Sequence, residues 1–267
     1  RQARDRGFAG RLAEYANGTA AYTATLGFRG GIPELAIQSS LVGMGLSLPA
    51  PFAKAPDAPL PLRLDMAAVR ATAPAAGESS ARRQDQLQLD VGKLLNIVYV
   101  RDLSGAEPRV LRGSIAAGLA DDETAPLPGD GVVANFNMAS LDMDAWSAVL
   151  SRAAGADLSA NHLVSSDSHA STSYLPTSLA VRARELTVGG RKLNQVVIGG
   201  GREGTLWRAN VDAAELNGYV EYRQPQGGTG GRLYGRLARL VIAPSAAQDV
   251  ESVLDEQPAS IPALDIV

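Results

Sequence analysis

The sequence contains no cysteine. That removes disulfides, thiolate nucleophiles and cysteine-bound zinc, while leaving the compartment open. Aromatic residues are scarce, 5% against 45% hydrophobic residues overall, so the apolar mass is aliphatic. No run of about 18 apolar residues occurs, and so no stretch is suited to cross a bilayer as a helix. Neither sign of charge dominates, with 25 Lys and Arg against 28 Asp and Glu. A duplex-binding domain is normally net basic, which sets nucleic acid aside as a partner. What remains is 267 residues, enough for a sizeable core in one large or two small domains. The chain opens on Arg1 and closes inside an apolar stretch, Ile261 to Val267, which is the expectation for a segment of a longer protein.

Period-two alternation bounded by Gly, Pro, Asn or Asp runs through most of the chain and predicts strands. Ala20, Tyr22, Ala24, Leu26 and Phe28 share one face of an early segment, and Leu35 and Ile37 follow the Gly30-Gly31 turn. Leu87, Leu89 and Val91 alternate with Gln86, Gln88 and Asp90, as do Leu179, Val181 and Ala183 with Arg182 and Arg184. Further strands are expected at 97–100, 110–119, 132–138, 196–198, 206–211, 219–222 and 233–242. Such short strands with hairpin-length gaps predict an antiparallel sheet rather than βαβ units. A barrel, a sandwich and a curved gutter all satisfy the pattern. Ile97 to Val100, Val196 to Ile198 and Leu240 to Ile242 are apolar on both faces, which suits a gutter or the buried strands of a sandwich.

Helices are expected over 4–15, 143–154 and 246–254. In the second, Trp146, Val149 and Leu150 recur at helical spacing, behind Asp142 or Asp144 as caps. The organisation expected is a first β segment over 1–70 with a proline-rich connection, a linker over 71–84, and a β segment over 85–158. A flexible loop over 159–173 follows, then a second β repeat over 174–243, and a linker with the start of a further repeat over 244–267.

Catalytic patterns are weak. Gly199 to Gly204 satisfies G-x-G-x-x-G, but Thr205 to Val211 alternates like a strand instead of opening a helix, so the glycines read as a hairpin turn. Gly227 to Gly231 lacks the Lys-Ser/Thr ending of a phosphate loop. His162 and His169, near Asp157 and Asp167, lie in a Ser-rich stretch without a G-x-S-x-G elbow and read as solvated. The acidic run Asp121 to Glu123 reads as an exposed tip, and Trp146 and Trp207 as core anchors. No metal site or cofactor is expected.

Three groups of residues carry a family resemblance. Ser39 to Lys54, with Leu41, Gly43 and Leu48-Pro49-Ala50-Pro51 in order, precedes an apolar strand over 60–64. Leu111 to Ile115 and then Leu141-Asp142-Met143-Asp144-Ala145-Trp146 form a second group. The third runs from Tyr174-Leu175-Pro176 through Leu186 to Arg191, Leu206 to Ala209, Leu216-Asn217-Gly218 and 233–242 to Ile261-Pro262-Ala263-Leu264-Asp265. Together they resemble the YhdP branch of the AsmA-like bacterial envelope proteins (AsmA, TamB, YhdP). The resemblance spans most of 35–267.

It implies a mainly β fold, a long curved antiparallel sheet forming a gutter with one to three short helices. It implies a periplasmic protein anchored in the inner membrane by a helix outside this sequence, which carries phospholipid acyl chains along an apolar groove and performs no covalent chemistry. The groove candidates are Leu87, Leu89, Val91, Val132, Phe136, Leu179, Val181, Leu237 and Val241, with Arg101, Arg109 and Arg112 as candidates to meet head groups at the rim. A one-residue register error would invert the assignment of faces. The competing expectation is a non-catalytic envelope tethering module that binds partner proteins through strand edges.

Overall fold

The fold is given by a computed structural model, which describes residues 8–69, 83–119, 125–154, 173–224, 231–241 and 263–266. The chain is built on strands: β1 Ala16–Gly18, β2 Tyr22–Arg29, β3 Ile32–Ser39, β4 Met44–Leu46, β5 Leu62–Ala68, β6 Gln84–Val91, β7 Leu95–Asp102 and β8 Arg109–Ala117. They continue with β9 Gly131–Asp142, β10 Ser178–Val188, β11 Arg191–Glu203, β12 Leu206–Asp212, β13 Leu216–Arg223, β14 Arg232–Leu240 and β15 Ala263–Ile266. The described residues also hold two helices, α1 Phe8–Leu12 and α2 Met143–Ala154, and a 3-10 turn at Ala13–Tyr15.

Thirteen strands form one open sheet in chain order from β2 to β15, while β1 and β4 pair separately. Tight turns drive this meander. Gly30 and Gly31, like Gly189 and Gly190, all have positive φ, the geometry that two-residue hairpins demand and glycine supplies without strain.

The sheet departs from the antiparallel expectation in three places. β8 and β9, β9 and β10, and β14 and β15 pair in parallel. A parallel neighbour needs a long connection that returns the chain to the starting end. Residues 118–130 and 143–177 are those connections for the first two. Leu119 of the first lies beside Asn135, Asn137 and Arg182. Alternation reveals where strands are but not which way neighbours run.

The helix α2 lies where expected. The Asp142 carboxylate accepts from the Ala145 amide at 2.9 Å and caps it. Asp144 instead accepts from the Gly189 and Gly190 amides, both at 2.8 Å, and ties the helix start to the β10–β11 turn. Trp146 meets Phe52 edge to face at 5.5 Å, and Arg11 Nε donates to the Ala153 carbonyl. Of the helix expected over 4–15, the described residues hold α1 and the 3-10 turn that tightens its end, and residues 4–7 lie outside the described residues. Residues 246–254, the histidines and Asp121 to Glu123 lie outside the described residues.

The glycine run also differs from expectation. Gly199, Gly200 and Gly201 belong to β11, and the turn falls at Gly204. A Cβ on Gly200 would sit 2.4 Å from the Arg208 carbonyl oxygen, so glycine serves close strand approach there.

Candidate functional site

The ladders place one residue of each strand in line across the sheet. One such row reads Ala24, Ile37, Leu64, Leu89, Ile97, Ile115, Ala134, Leu179, Gly200, Ala209, Val220, Gly235 and Ile266. No position in it is polar. At about 4.8 Å per strand, the row runs about 58 Å. The row on one side of it runs Val91, Leu95, Ala117, Phe136, Val181, Ile198, Val211, Gly218 and Leu237. On the other side are Leu26, Leu35, Met66, Leu87, Tyr99, Gly113 and Val132.

Shifting by one residue turns the sheet over. That row reads Thr25, Ala36, Asp65, Gln88, Val98, Ser114, Val133, Ser178, Gly201, Arg208, Glu221, Tyr234 and Asp265. Charged or hydrogen-bonding side chains stand on both flanks of this row, at Thr25, Asp65 and Gln88 and at Ser178, Arg208, Glu221, Tyr234 and Asp265, while Val98 and Val133 are apolar in its middle. The double-sided apolar character of Ile97 to Val100 is thus local, with Val98 and Val100 on the reverse face opposite Gln88 and Gln86.

Eight of the nine groove candidates, all but Val241, fall on the apolar face and within these three rows. Val241 follows β14 and is 58% exposed, its amide donating to the Glu215 carbonyl. The groove candidates left out other residues of the face, among them Leu26, Ile37, Leu64, Ile97 and Ile115. The alternation of Tyr22 to Phe28 was the available signal.

Burial along the face is uneven. Val132, Ala134 and Val196 are withdrawn from solvent at 1%, 0% and 1% exposure, while Tyr22, Leu26 and Phe28 on the edge strand β2 remain 71%, 65% and 74% exposed. The segment 173–177 lies over part of the covered region. Tyr174 stacks edge to face on Tyr99 at 5.1 Å, the Tyr99 hydroxyl donates to the Tyr174 carbonyl at 3.1 Å, and the Thr177 amide donates to the Val132 carbonyl at 2.8 Å. Burial, and secondarily Tyr174, push the Tyr99 phenol up to about 12.

The three rim candidates do not converge. Arg101 lies on the apolar face, where its Nε donates to Asp85 Oδ1 at 2.9 Å and its Nη2 to Asp85 Oδ2. The two side chains are only 11% and 2% exposed. Hydrogen bonding to Asp85 raises the guanidinium pKa despite burial. Arg112 pairs with Val100 and Gly131 on the opposite face, and Arg109 is exposed at the start of β8. A bulge at Val100/Arg101 separates their registers.

Among the described residues, no group of three or more His, Asp or Glu is placed to hold a metal, and no helix is long and apolar enough to cross a membrane. A family model described as YhdP protein matches residues 3–267. No curated protein and no solved structure matches the chain.

Proposed function

The chain belongs to the YhdP family, and we propose that it is a stretch of a bridge-like groove that passes phospholipid between the membranes of a bacterial envelope. It would serve as the periplasmic part of an inner-membrane-anchored protein. The observation that carries this reading is the uninterrupted apolar row from Ala24 to Ile266, backed by a face with polar flanks. Moving a diacyl lipid through water is opposed by about 0.8 kcal/mol per exposed methylene. A smooth aliphatic face removes that opposition at every step, and few large aromatic side chains interrupt it. The groove needs no nucleophile, metal or cofactor.

The test is native mass spectrometry of the chain purified from bacteria, followed by lipid extraction. Phospholipid-sized adducts are expected. Leu26→Glu with Phe28→Glu should reduce them while leaving the fold intact, because both side chains already face solvent. A charge at Val181, only 7% exposed, should instead cost the fold itself. An apo mass for the native chain, or equal lipid in the double variant, would count against the reading.

The tethering alternative draws on the same edge: among the described residues β2 pairs on one side only and exposes large apolar side chains, which also suits a partner strand.

A further inference from the structure

Leaving aside the last ladder pair before each turn, the apolar face carries three charged side chains: Asp85, Arg101 and Arg202. The first two neutralise each other. Among the described residues, Arg202 has no such carboxylate. Its Nε donates to the Pro176 carbonyl at 3.1 Å and its Nη1 to the Gly204 carbonyl at 3.3 Å. These bonds to neutral carbonyls fix the guanidinium, and among the described residues three of its five N–H groups are still to be used. The neighbouring Arg208, on the reverse face, shows the contrast: it pairs with Glu203 at 2.8 Å and Glu221 at 3.4 Å.

The surroundings of Arg202 are amphipathic. Its guanidinium lies 5.8 Å from the centre of the Trp207 ring, Trp207 is its ladder partner, and Tyr222 is the next residue in that row. All three side chains are half-buried. Aromatic residues with a polar handle favour places that are apolar on one side and wet on the other. Two residues along each strand the all-apolar row begins again, at Gly200, Ala209 and Val220, about 7 Å away.

We infer that Arg202, Trp207 and Tyr222 form a station for the phosphate of a phospholipid head group, whose acyl chains lie along the Gly200–Ala209–Val220 row. Arg202 donates to the phosphate oxygens while Trp207 and Tyr222 flank the glycerol region. This assignment rests on the lipid-groove reading and adds to it a recognition element for the anionic diester. It also moves the head-group contact away from Arg101, Arg109 and Arg112.

The experiment measures binding of dioleoyl-phosphatidylglycerol, dioleoylglycerol and inorganic phosphate to the full chain by native mass spectrometry and titration. Dioleoylglycerol has the same tails and no phosphate. The native chain should prefer the phospholipid roughly tenfold, the worth of one charge-assisted hydrogen bond. Arg202→Gln should erase that preference and leave dioleoylglycerol binding unchanged. Arg202→Lys keeps the charge but loses the fork to the two carbonyls, and should retain most of the preference.

A preference that survives in Arg202→Gln would overturn the assignment while leaving the groove in place. So would loss of the preference in the lysine variant alongside the glutamine one, since that marks a purely structural arginine. Inorganic phosphate binding as tightly as the lipid would identify a site for free anion and overturn it too. Failure of the native chain to bind either lipid would instead remove the groove reading, and the station with it.

Discussion

Replacing Asp85 by alanine should be among the most damaging single changes available to this sheet. The carboxylate is 2% exposed and its partner Arg101 11%. Removing it leaves a guanidinium on an apolar face with the Tyr174 hydroxyl at 3.4 Å and the Met66 sulfur at 3.1 Å as its remaining side-chain partners. Two unit charges about 4 Å apart interact by about 4 kcal/mol at an effective dielectric of about 20. Breaking a buried pair from one side typically costs about 3–5 kcal/mol, because the survivor keeps its desolvation penalty. Against a typical total stability of about 5–15 kcal/mol, Asp85→Ala should bring the chain close to unfolding. The double change Asp85→Leu with Arg101→Met should restore most of the loss, since Leu87, Tyr99 and Val110 around the pair are apolar. Urea denaturation followed by circular dichroism measures both. An Asp85→Ala variant within about 1 kcal/mol of the native chain would refute the reasoning, as would a double variant no better than the single one.

The pH dependence should carry the signature of Tyr99. Its folded pKa is raised to about 12 from 10.0, so its contribution is fully present below the unfolded value and is lost as pH rises between the two. Phenolate absorbance should show Tyr99 titrating late, alongside Tyr219, whose hydrogen bond to Glu221 also raises its pKa, and Tyr99→Phe should flatten the stability loss in the window between 10.0 and about 12. Gln195 has φ of 52° and an exposed side chain, so Gln195→Gly should stabilise by about 0.5–1 kcal/mol, read as an increase in melting temperature. Asp144→Ala removes the acceptor for the Gly189 and Gly190 amides. It should cost about 1 kcal/mol, with faster hydrogen exchange at those two amides and no change in the β2 to β6 ladders.

Much of the strand content was legible because burial on one face imposes a period of two. Leu87-Leu89-Val91 and Leu179-Val181 fell on a common face for that reason. The helix at 143–154 was legible through its cap and its Trp146, Val149 and Leu150 spacing. Strand direction was not, because side-chain alternation is identical in parallel and antiparallel neighbours. Nor was the break in alternation near Gln195. Its left-handed backbone puts Leu193 and Val196 on the same face, and Leu186 with Ala183 and Leu141 with Met138 follow in the paired strands. The placement of the three arginines was not legible either. Sequence proximity of Arg101, Arg109 and Arg112 suggested a cluster, but a bulge and the sheet's two faces separate them.

The two parallel crossings around β9 have a consequence for the apolar face. A sheet of hairpins alone would leave every strand equally open. Here the connection into β9 places Leu119 beside Asn135 and Arg182 on the reverse face, and the connection into β10 places Tyr174 over Tyr99 on the apolar one. The middle of the sheet is thereby covered on both sides: Ala116, the ladder partner of Asn135, is buried on the reverse face and Val132 on the apolar face. On the flank formed by β2, β3, β5 and β6, among the described residues, every side chain but Asp85 remains half-buried or exposed. A mobile apolar guest gains most where surface is still in contact with water, because burial energy scales with the area removed from it. If acyl chains bind, the β2 to β6 flank should therefore hold them more strongly than the centre. The central strands supply the rigidity that keeps the all-apolar row in register across both flanks.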